Sequence, residues 1–265
     1  MVQTIFNRLL LRQYRQKRAA DFRAHAFLYD DVAARLLERL QDVKTASFKR
    51  VLEIGGRDGH LSQQLQQQLQ PELLISTELA TSPFPLTGGI RVQADEEFLP
   101  FTGESFDLVI SHLNLHQVND LPGVLAQIHG VLKEGGFFLA SLWGENSLTE
   151  LKQATMLADL QYYGGVSPRV FPFVDLRGAA GLLQRANFAL PVADIDHIEL
   201  SYAHIWRLAE DLRHMAENNI LHHKSHKPSP KGWWLALQQI YQEKFTDVDG
   251  RLSVTADALF LSGWK

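Results

Sequence analysis

Three acidic residues, Glu53, Glu78 and Asp95, lie in or directly after short apolar segments that the sequence predicts to be strands. In an open α/β sheet, ligands bind beyond the carboxyl ends of the strands, where the strand order reverses. A carboxylate at Glu78 can accept both hydroxyl hydrogens of a ribose, and one at Asp95 can accept a hydrogen from an adenine amino group. Each residue alone could equally be an exposed loop acid. Their order along the chain favours a nucleotide-binding site.

A glycine-rich turn that begins at Gly55 connects the first predicted strand to a helix whose leucines recur every four residues. Such a turn aims unpaired N–H groups and the positive end of a helix dipole at a ligand, and glycine permits positive φ and a close approach of ligand to backbone. A dinucleotide-binding fingerprint requires glycine at the first, third and sixth positions. The third is Arg57 and the sixth is His60, so that interpretation fails. A purely structural strand–turn–helix remains an alternative.

Strands and helices alternate along the chain, which predicts an α/β protein with a doubly wound, mostly parallel, seven-stranded sheet. Asp120 with Pro122 predicts a helix start, and Gly135 and Gly136 are predicted to end that helix. A short strand is predicted just before Asp95. The other predicted strands are 51–54, 73–77, 107–111, 137–143, 192–200 and 253–263, and the other predicted helices include 18–43, 148–162, 175–186, 205–218 and 232–245.

The composition excludes several kinds of site. The chain has 265 residues, with 26 basic and 30 acidic side chains and no cysteine. The small negative net charge gives no general attraction to nucleic acid. The lack of cysteine excludes disulfides, zinc–thiolate sites and cysteine nucleophiles, and it fits a reducing compartment. No stretch of about eighteen apolar residues occurs, so we expect no membrane span.

The start of the chain, residues 5–18, is rich in arginine, poor in acidic residues and able to form an amphipathic helix. An organelle presequence and a helix in peripheral contact with a membrane are two interpretations of this pattern. The third, which we favour, is an ordinary first helix of the fold, because basic amphipathic helices are commoner as docking elements.

Several successive motifs resemble those of class I S-adenosyl-L-methionine (SAM)-dependent methyltransferases, in particular the type 11-like group. The family's acidic-x-Gly-x-Gly-x-Gly turn is matched at Glu53, Gly55 and Gly59 and departs only at Arg57. Further matches are Glu78 and residues 95–101, 105–109 and 132–136. The resemblance implies a Rossmann-like methyltransferase fold that binds SAM. It implies cofactor binding at Glu53, Gly55, Gly56, Arg57, Gly59, Glu78, Leu79, Asp95, Glu96 and Ser111.

Residues 115–122 and 164–168 resemble a narrower branch of this family, and the resemblance extends over practically the whole chain. The branch holds the methyltransferase-fold assembly factor of respiratory complex I, understood as a protein arginine hydroxylase, and the malonyl-carrier-protein methyltransferases of biotin synthesis. The assembly factor is the closer of the two. The resemblance implies methyl transfer to a carboxylate or another small or protein-borne acceptor, with arginine hydroxylation or non-catalytic complex I assembly as alternatives. It implies a complex I subunit or an acyl carrier protein as partner, in the bacterial cytoplasm or the mitochondrial matrix.

His112 and His116 follow the fourth strand, where this fold lines its acceptor pocket, and they are the candidate catalytic residues. Either could orient or deprotonate an acceptor, although each could also be a structural histidine. A carboxylate acceptor needs little acid–base help, because alignment of oxygen, methyl carbon and sulfur does most of the work. His222, His223 and His226 lie in a basic loop without the fixed geometry of a metal site, so no metal is expected.

By sequence, the chain divides into N-terminal helices, residues 1–45, and a SAM-methyltransferase-like domain, residues 46–265. Helical insertions at about 146–172 and 202–247 would form a lid that selects the acceptor. Arg57 is the anomaly of this arrangement. Its guanidinium could pair with the carboxylate of the cofactor. Because a bulky side chain replaces backbone that the ligand approaches closely, we instead expect it to weaken SAM binding.

Overall fold

Strands and helices alternate through most of the computed structural model, which describes residues 4–44, 47–81, 88–225 and 228–265. The boundary expected between 45 and 46 lies outside these described residues. The elements are α1 Arg8–Arg18, α2 Phe27–Gln41, β1 Arg50–Ile54, α3 His60–Leu69, β2 Leu73–Glu78, β3 Ile90–Gln93, β4 Phe106–His112, α4 Leu121–Val131, β5 Leu132–Trp143, α5 Thr149–Tyr163, α6 Leu176–Arg185, β6 Ala189–Tyr202, α7 Ile205–His214, α8 Lys231–Lys244 and β7 Leu252–Trp264.

The strands form one seven-stranded sheet in the order β3-β2-β1-β4-β5-β7-β6. β7 is antiparallel to both of its neighbours, and the other adjacent pairs are parallel. The predicted doubly wound, mostly parallel sheet is confirmed. Its strand order reverses between β1 and β4, so the carboxyl ends of these two strands border the crevice in which such sheets bind ligands.

Successive side chains of β1 and β4 point to opposite faces of the sheet, and different helices cover the two faces. Val51 and Ile110 belong to a buried cluster with leucines of α2 and α3, whereas Leu52 and Val109 cluster with α4 and α6. All four of these side chains are fully buried. The two-sided core therefore fixes where the carboxyl ends of β1 and β4 lie.

Three helices, α5, α7 and α8, form a further layer against one end of the sheet. Their buried residues, among them Ala158, Leu208 and Tyr241, cluster with Leu252 and Val254 of β7. These helices lie within the ranges expected as insertions, and their action as a lid stays a prediction. Among the helices of the described residues, none has the length and apolar character needed to cross a membrane.

The helix before β5 ends earlier than expected. The prediction that Gly135 and Gly136 end it is wrong, because α4 stops at Val131 and both glycines lie inside β5. Leu132 already has extended backbone and pairs with β4. The glycines pair with the last residue instead: the N–H of Gly135 donates to the Lys265 carbonyl at 3.0 Å, and the N–H of Lys265 donates to the Gly136 carbonyl at 2.9 Å. Strand pairing of Leu132 with β4 and of the two glycines with Lys265 therefore overrides the helix-stop signal of the glycines.

The helix expected over residues 18–43 is interrupted. α1 ends at Arg18, a 3₁₀ turn covers Phe22–His25, and α2 follows. α2 supplies seven buried residues, several of them leucines in the core cluster over β1 and β4. α1 instead reaches the carboxyl ends of β2 and β4 through Arg15. The interruption thus assigns α2 to the core and α1 to the crevice.

Candidate active site

The turn after β1 has the backbone conformation that its glycines allow. Gly55 and Gly59 have φ angles of 82° and 84°, and the N–H groups of Gly55 and Gly56 donate to the carbonyl of Thr77 at 3.0 and 2.9 Å. A Cβ atom at Gly55 would lie 2.3 Å from the side chain of Asn114. Glycine is therefore required at position 55 both by the positive φ and by the close approach of the chain after β4.

Glu53 is buried below this turn and holds the start of α3. Its carboxylate accepts a hydrogen bond from the hydroxyl of Ser62 in α3. Burial raises the pKa of Glu53, and the hydrogen bond from Ser62 partly opposes that rise. In this arrangement Glu53 supports the turn, and a direct contact between Glu53 and a cofactor stays a prediction.

The centre of the crevice holds the guanidinium of Arg15, a residue of α1 that sequence reasoning missed. Its side chain is 3% exposed. Burial would lower the pKa of Arg15, but the carboxylates of Glu78 and Glu96 raise it. The guanidinium donates to Glu78 Oε1 at 3.1 Å, Glu96 Oε1 at 3.2 Å, Asn114 Oδ1 at 2.6 Å and Gln117 Oε1 at 2.9 Å.

A second arginine of α1 contacts the acidic residues after β3. Arg8 donates to Asp95 Oδ1 at 2.7 Å and to the carboxylate of Glu96. Burial would raise the pKa of Glu96, but the guanidinium groups of Arg8 and Arg15 lower it to about 2. Asp95 and Glu96 therefore lie together in the crevice, and α1 supplies the positive charge that compensates them.

Arg57 connects the turn to the segment after α7. Its φ is 46°, and its backbone N–H donates to Glu78 Oε2 at 3.0 Å. Its guanidinium donates to the carbonyl of Met215 and lies over the ring of Phe22, 4.6 Å from the ring centroid. The side chain therefore borders the crevice, and it pairs with no carboxylate of the residues that the structure describes.

Leu79 and Ser111 lie at the same strand ends. Leu79 is buried in a cluster with Leu11 of α1. The hydroxyl of Ser111 donates to the carbonyl of Ile54 at 3.0 Å. The positions predicted for cofactor binding are thus brought together around the carboxyl ends of β1, β2, β3 and β4.

The acceptor groups at these strand ends suit a nucleoside, because a carboxylate after β2 can take ribose hydroxyls and one after β3 can take an amino group. The open space is too small for a nucleoside, because the two cavities beside the turn measure only about 20 Å³ each. Arg15 donates to one oxygen of Glu78, and the N–H of Arg57 donates to the other. A nucleoside fits this crevice chemically once Arg15 has left Glu78.

His112 is buried at the end of β4, and both of its ring nitrogens have partners. Nε2 lies 2.9 Å from the carbonyl oxygen of Tyr29, and Nδ1 lies 2.8 Å from Ser141 Oγ. Because a carbonyl only accepts, Nε2 carries the hydrogen and Nδ1 accepts from the serine hydroxyl. Burial lowers the pKa of His112 to about 3. A catalytic role for His112 stays a prediction that this neutral, fully engaged ring does not favour.

His116 pairs with a buried carboxylate, Glu217, which follows α7. Nε2 of His116 lies 3.2 Å from Glu217 Oε2, and the ring stacks on Phe171 with centroids 6.3 Å apart. The other oxygen of Glu217 accepts from the hydroxyl of Tyr29 at 2.6 Å. Burial would raise the pKa of Glu217, but the adjacent His116 lowers it. His116 and Glu217 are therefore a buried polar pair surrounded by aromatic side chains.

A cavity of about 320 Å³ lies between the sheet and the layer of α5, α7 and α8. Its volume falls within the range of small-molecule sites. Glu217 contributes to its wall, so the cavity reaches the His116 pair. Aromatic and apolar side chains form most of the remaining wall, among them Trp143, Phe171, Phe173, Leu208, Trp233 and Trp234.

Gln117 joins the crevice to this cavity. Its side-chain oxygen accepts from Arg15 at 2.9 Å, and its side-chain nitrogen donates to Glu217, also at 2.9 Å. One amide side chain therefore separates the strand-end crevice from the wall of the cavity. A group bound in the crevice and a molecule held in the cavity would meet at this point.

In the part of the chain that the structure describes, no three histidine, aspartate or glutamate side chains are grouped so that they could hold a metal ion. His222 and His223 belong to that part. His226, the third histidine of the basic loop, lies outside the described residues.

Arg15 and Glu217 could not be found from local spacing. Arg15 and Glu78 are 63 positions apart, and Glu217 and Tyr29 are 188 apart. A usable signal for Arg15 was the arginine-rich, acid-poor start of the chain, since clustered carboxylates at strand ends need a cation nearby. No comparable signal marks Glu217, which lies in a short polar segment after a helix.

Comparisons with known proteins show which families this chain resembles. Residues 11–191 match the family described as methyltransferase domain. The chain is 32% identical over 268 residues to the protein named arginine-hydroxylase NDUFAF5, mitochondrial, of Danio rerio, which covers 98% of this chain and 83% of that protein. It is 29% identical over 281 residues to malonyl-[acyl-carrier protein] O-methyltransferase of Gallionella capsiferriformans, with 100% of this chain and 93% of that protein covered.

Among solved structures, phosphoethanolamine N-methyltransferase 2 of Haemonchus contortus superposes with a TM-score of 0.57. The two chains are 16% identical, and the superposition covers 96% of this chain and 60% of that one. At this identity the likeness concerns the fold alone.

Proposed function

The chain belongs to the methyltransferase domain family, and from this premise we propose that it binds SAM in the crevice beyond β1, β2 and β4 and transfers the methyl group to an acceptor. The observation that carries the proposal is the position of Glu78. Its carboxylate ends β2, accepts from the backbone of the glycine turn and lies beside the reversal of strand order. A carboxylate at this place accepts hydrogen bonds from ribose hydroxyls.

Other residues of the crevice would hold the remaining parts of SAM. Asp95 would accept from the adenine amino group, Leu79 would contact the adenine ring, and the glycines of the turn at Gly55 would let the methionine end approach the backbone closely. When bound, SAM would supply a methyl group whose carbon bonds to the acceptor atom as its bond to the positively charged sulfur breaks, so that the neutral thioether leaves. The chain's own contribution is to position the acceptor and to exclude water.

The cavity under α5, α7 and α8 is the proposed acceptor site. It reaches Glu217, and Gln117 links Glu217 to the crevice. A carboxylate acceptor needs alignment rather than a base. For an acceptor that must lose a proton, His116 is the proposed base, and its contact with Glu217 would orient the ring.

Calorimetric titration with SAM tests the cofactor site. Glu78→Gln keeps the size of the side chain but removes its charge, and we expect a weaker Kd, since hydrogen bonds to charged groups contribute about 1.5–3 kcal/mol. Glu72→Gln is the matched control, because Glu72 is an exposed carboxylate paired with exposed Lys49. If millimolar SAM gives the unsubstituted protein neither heat nor a thermal shift, the proposal is refuted.

A second candidate function is hydroxylation of an arginine side chain in a protein. The 32% identity to a protein named arginine hydroxylase, over 98% of this chain, favours it. Hydroxylation replaces a C–H bond by C–OH with one atom of dioxygen, while the other atom leaves as water with two electrons from a reductant. Its test is therefore incubation with an arginine-containing complex I subunit, dioxygen and a two-electron reductant, followed by mass spectrometry. A gain of one oxygen atom would support hydroxylation, and an unchanged mass would reject it. If neither a methyl group nor oxygen is transferred, a non-catalytic assembly role becomes the remaining alternative.

The names of the relatives also support proposals on partner and location. An acyl carrier protein or a complex I subunit is the proposed partner, and the bacterial cytoplasm or the mitochondrial matrix is the proposed location. Transfer of radioactive methyl from SAM to malonyl-carrier protein, compared with transfer to the complex I subunit, would discriminate between the two partners.

A further inference from the structure

We infer that Arg15 is an internal competitor of the cofactor: α1 docks its guanidinium on Glu78 and Glu96, so that docked α1 and bound SAM exclude one another. This inference rests on the proposed function, because it concerns the crevice in which SAM is proposed to bind. It adds a property that the proposed function does not contain. The N-terminal helix would regulate access to the cofactor site.

The crevice is built around the guanidinium of Arg15. Its four acceptors come from three separate segments of chain: Glu78 from the end of β2, Glu96 from the segment after β3, and Asn114 and Gln117 from the segment after β4. These segments surround the reversal of strand order, where ligands of this fold bind. Four convergent acceptors and almost complete burial make Arg15 a bound ligand of this crevice rather than a surface contact.

α1 covers the apolar part of the same site. Leu11 precedes Arg15 by one helical turn, is fully buried and clusters with Leu79, Phe171 and Ile220. Leu79 directly follows Glu78 and is the residue proposed to contact adenine. The inward face of α1 therefore meets both an apolar and a charged group that an adenosine would use.

The chain directly before α1 is held by several hydrogen bonds. The N–H of Asn7 donates to the carbonyl of Ile220 at 2.8 Å, the N–H of His222 donates to the carbonyl of Ile5 at 2.9 Å, and the N–H groups of Ile5 and Phe6 both donate to Asn119 Oδ1 at 2.8 Å. After it, the chain leaves the helix at Ala19 and reaches α2 through the 3₁₀ turn Phe22–His25. The helix itself is 11 residues long. With residues 5–7 as a fixed point, so short a helix can swing out of the crevice while the core that contains α2 stays folded.

Competition has a measurable consequence for affinity. A ligand that binds only when α1 is displaced has an apparent Kd equal to its intrinsic Kd divided by the displaced fraction. Arg15→Gln removes the charge that holds α1 on Glu78. Arg8 would still pair with Glu96, so one compensating cation remains. The variant should therefore bind SAM more tightly, by about tenfold or more.

Calorimetric titration with SAM of three proteins tests this: the unsubstituted chain, Arg15→Gln and Arg12→Gln. Arg12 is the matched control, because it belongs to the same helix but is exposed. Tighter binding by Arg15→Gln, with Arg12→Gln unchanged, would support competition. Unchanged or weaker binding by Arg15→Gln would overturn it, and weaker binding would mean that Arg15 contacts the cofactor directly. If none of the three binds SAM, the proposed function fails, and this inference fails with it.

Limited trypsin digestion gives a second readout, which needs no substituted protein and so stands even if Arg15→Gln does not fold. α1 carries the trypsin sites Arg8, Arg12, Arg15, Lys17 and Arg18. We expect SAM to speed cleavage within α1, detected as loss of N-terminal mass, while cleavage elsewhere is slowed or unchanged. ATP at the same concentration controls for nonspecific effects. Slower cleavage of α1 in the presence of SAM would mean that the cofactor stabilises α1 in its docked position, and this result would refute the competition.

Discussion

The backbone and the side chain of Arg57 affect the protein in different ways. The backbone has a positive φ of 46°, and the side chain donates to the carbonyl of Met215. We expect Arg57→Gly to tighten SAM binding, because it opens the turn to the ligand and suits the positive φ. Loss of the Met215 contact and relief of the strained φ should nearly offset each other, leaving the free energy of unfolding within about 1 kcal/mol of the original. Calorimetry and urea unfolding measure the two quantities.

Arg57→Ala is the control for that comparison. It removes the same side chain but keeps the positive φ strained, so it should be less stable than Arg57→Gly by about 1 kcal/mol. If both variants bind SAM with the same Kd as the original chain, the arginine does not obstruct the cofactor. The expected weakening by Arg57 would then be wrong.

His112 predicts a pH dependence of stability. Its pKa is about 3 in the folded chain, below the ordinary value of about 6.5 that applies when the chain unfolds. Between these values the unfolded chain binds a proton that the folded chain does not. The contribution of His112 is therefore complete above pH about 6.5 and is lost as the pH falls toward 3, by up to about 1.4 kcal/mol per pH unit.

Urea unfolding at pH 7.5 and pH 5 measures this loss. His112→Gln should lose about 2 kcal/mol less over that interval than the original chain, whatever its stability at pH 7.5. His60→Gln, at a partly exposed position, serves as control. Equal losses in all three proteins would show that His112 does not set the pH dependence.

Glu78 and Asp95 could be predicted at the residue scale because each follows an apolar run, and the ends of such runs gather at one edge of a parallel sheet. The arginines that pair with them could not be predicted in this way. The side chains that neutralise them belong to α1, and the contact between Arg15 and Glu78 spans 63 positions. Sequence spacing reports neighbours within an element, whereas this contact depends on where a whole helix docks.

At the scale of elements, Asp159 of α5 connects this helix to α8 through a hydrogen bond. It is 1% exposed, accepts from Arg169 Nη2 at 2.7 Å and Nε at 2.9 Å, and accepts from Trp233 Nε1 of α8 at 2.9 Å. Asp159→Asn should lower the free energy of unfolding by about 3 kcal/mol, because removing one partner of a buried ion pair leaves the other uncompensated. Urea unfolding checks this value.

Glu210→Gln is the matched control for the ion pair. Glu210 pairs with Arg207 at an exposed position of α7, and such surface pairs contribute about 0–1 kcal/mol. The Kd for SAM should be unchanged in both variants, since neither residue contacts the strand-end crevice. Equal stability of the two variants would contradict the assignment of Asp159 as the joint of α5 and α8.

The central strands were predictable as elements because β1 and β4 are buried on both faces and therefore form continuous apolar runs. Two boundaries were not. The helical pattern continues through residues 18–43, so the interruption around Phe22–His25 leaves no local signal in the sequence. Gly135 and Gly136 do carry a helix-stop signal, but pairing of Leu132 with β4 had already ended the helix.

For the whole molecule, we expect one cooperative unfolding transition. α2 shares its core cluster with the sheet, and the helical layer shares Leu252 and Val254 with β7, so in the described part of the chain neither α2 nor the helical layer has a separate core. Tryptophan fluorescence reports the five tryptophans, which are Trp143 in β5, Trp206 in α7, Trp233 and Trp234 in α8, and Trp264 in β7. Far-ultraviolet circular dichroism reports all elements. The two curves should coincide in urea. Separate midpoints would show that the residues 1–45 or the helical layer unfold independently.

The position of β7 also constrains how the molecule is made. β7 is the last strand in chain order, yet it lies between β5 and β6 inside the sheet. During synthesis on the ribosome, β6 therefore emerges without a neighbour, and β5 presents an open apolar edge until Leu252–Trp264 follows. Unpaired edges of this kind invite association between chains. Nascent chains that stall before β7 should depend on chaperones, so late translation is the stage at which this protein is most exposed to aggregation.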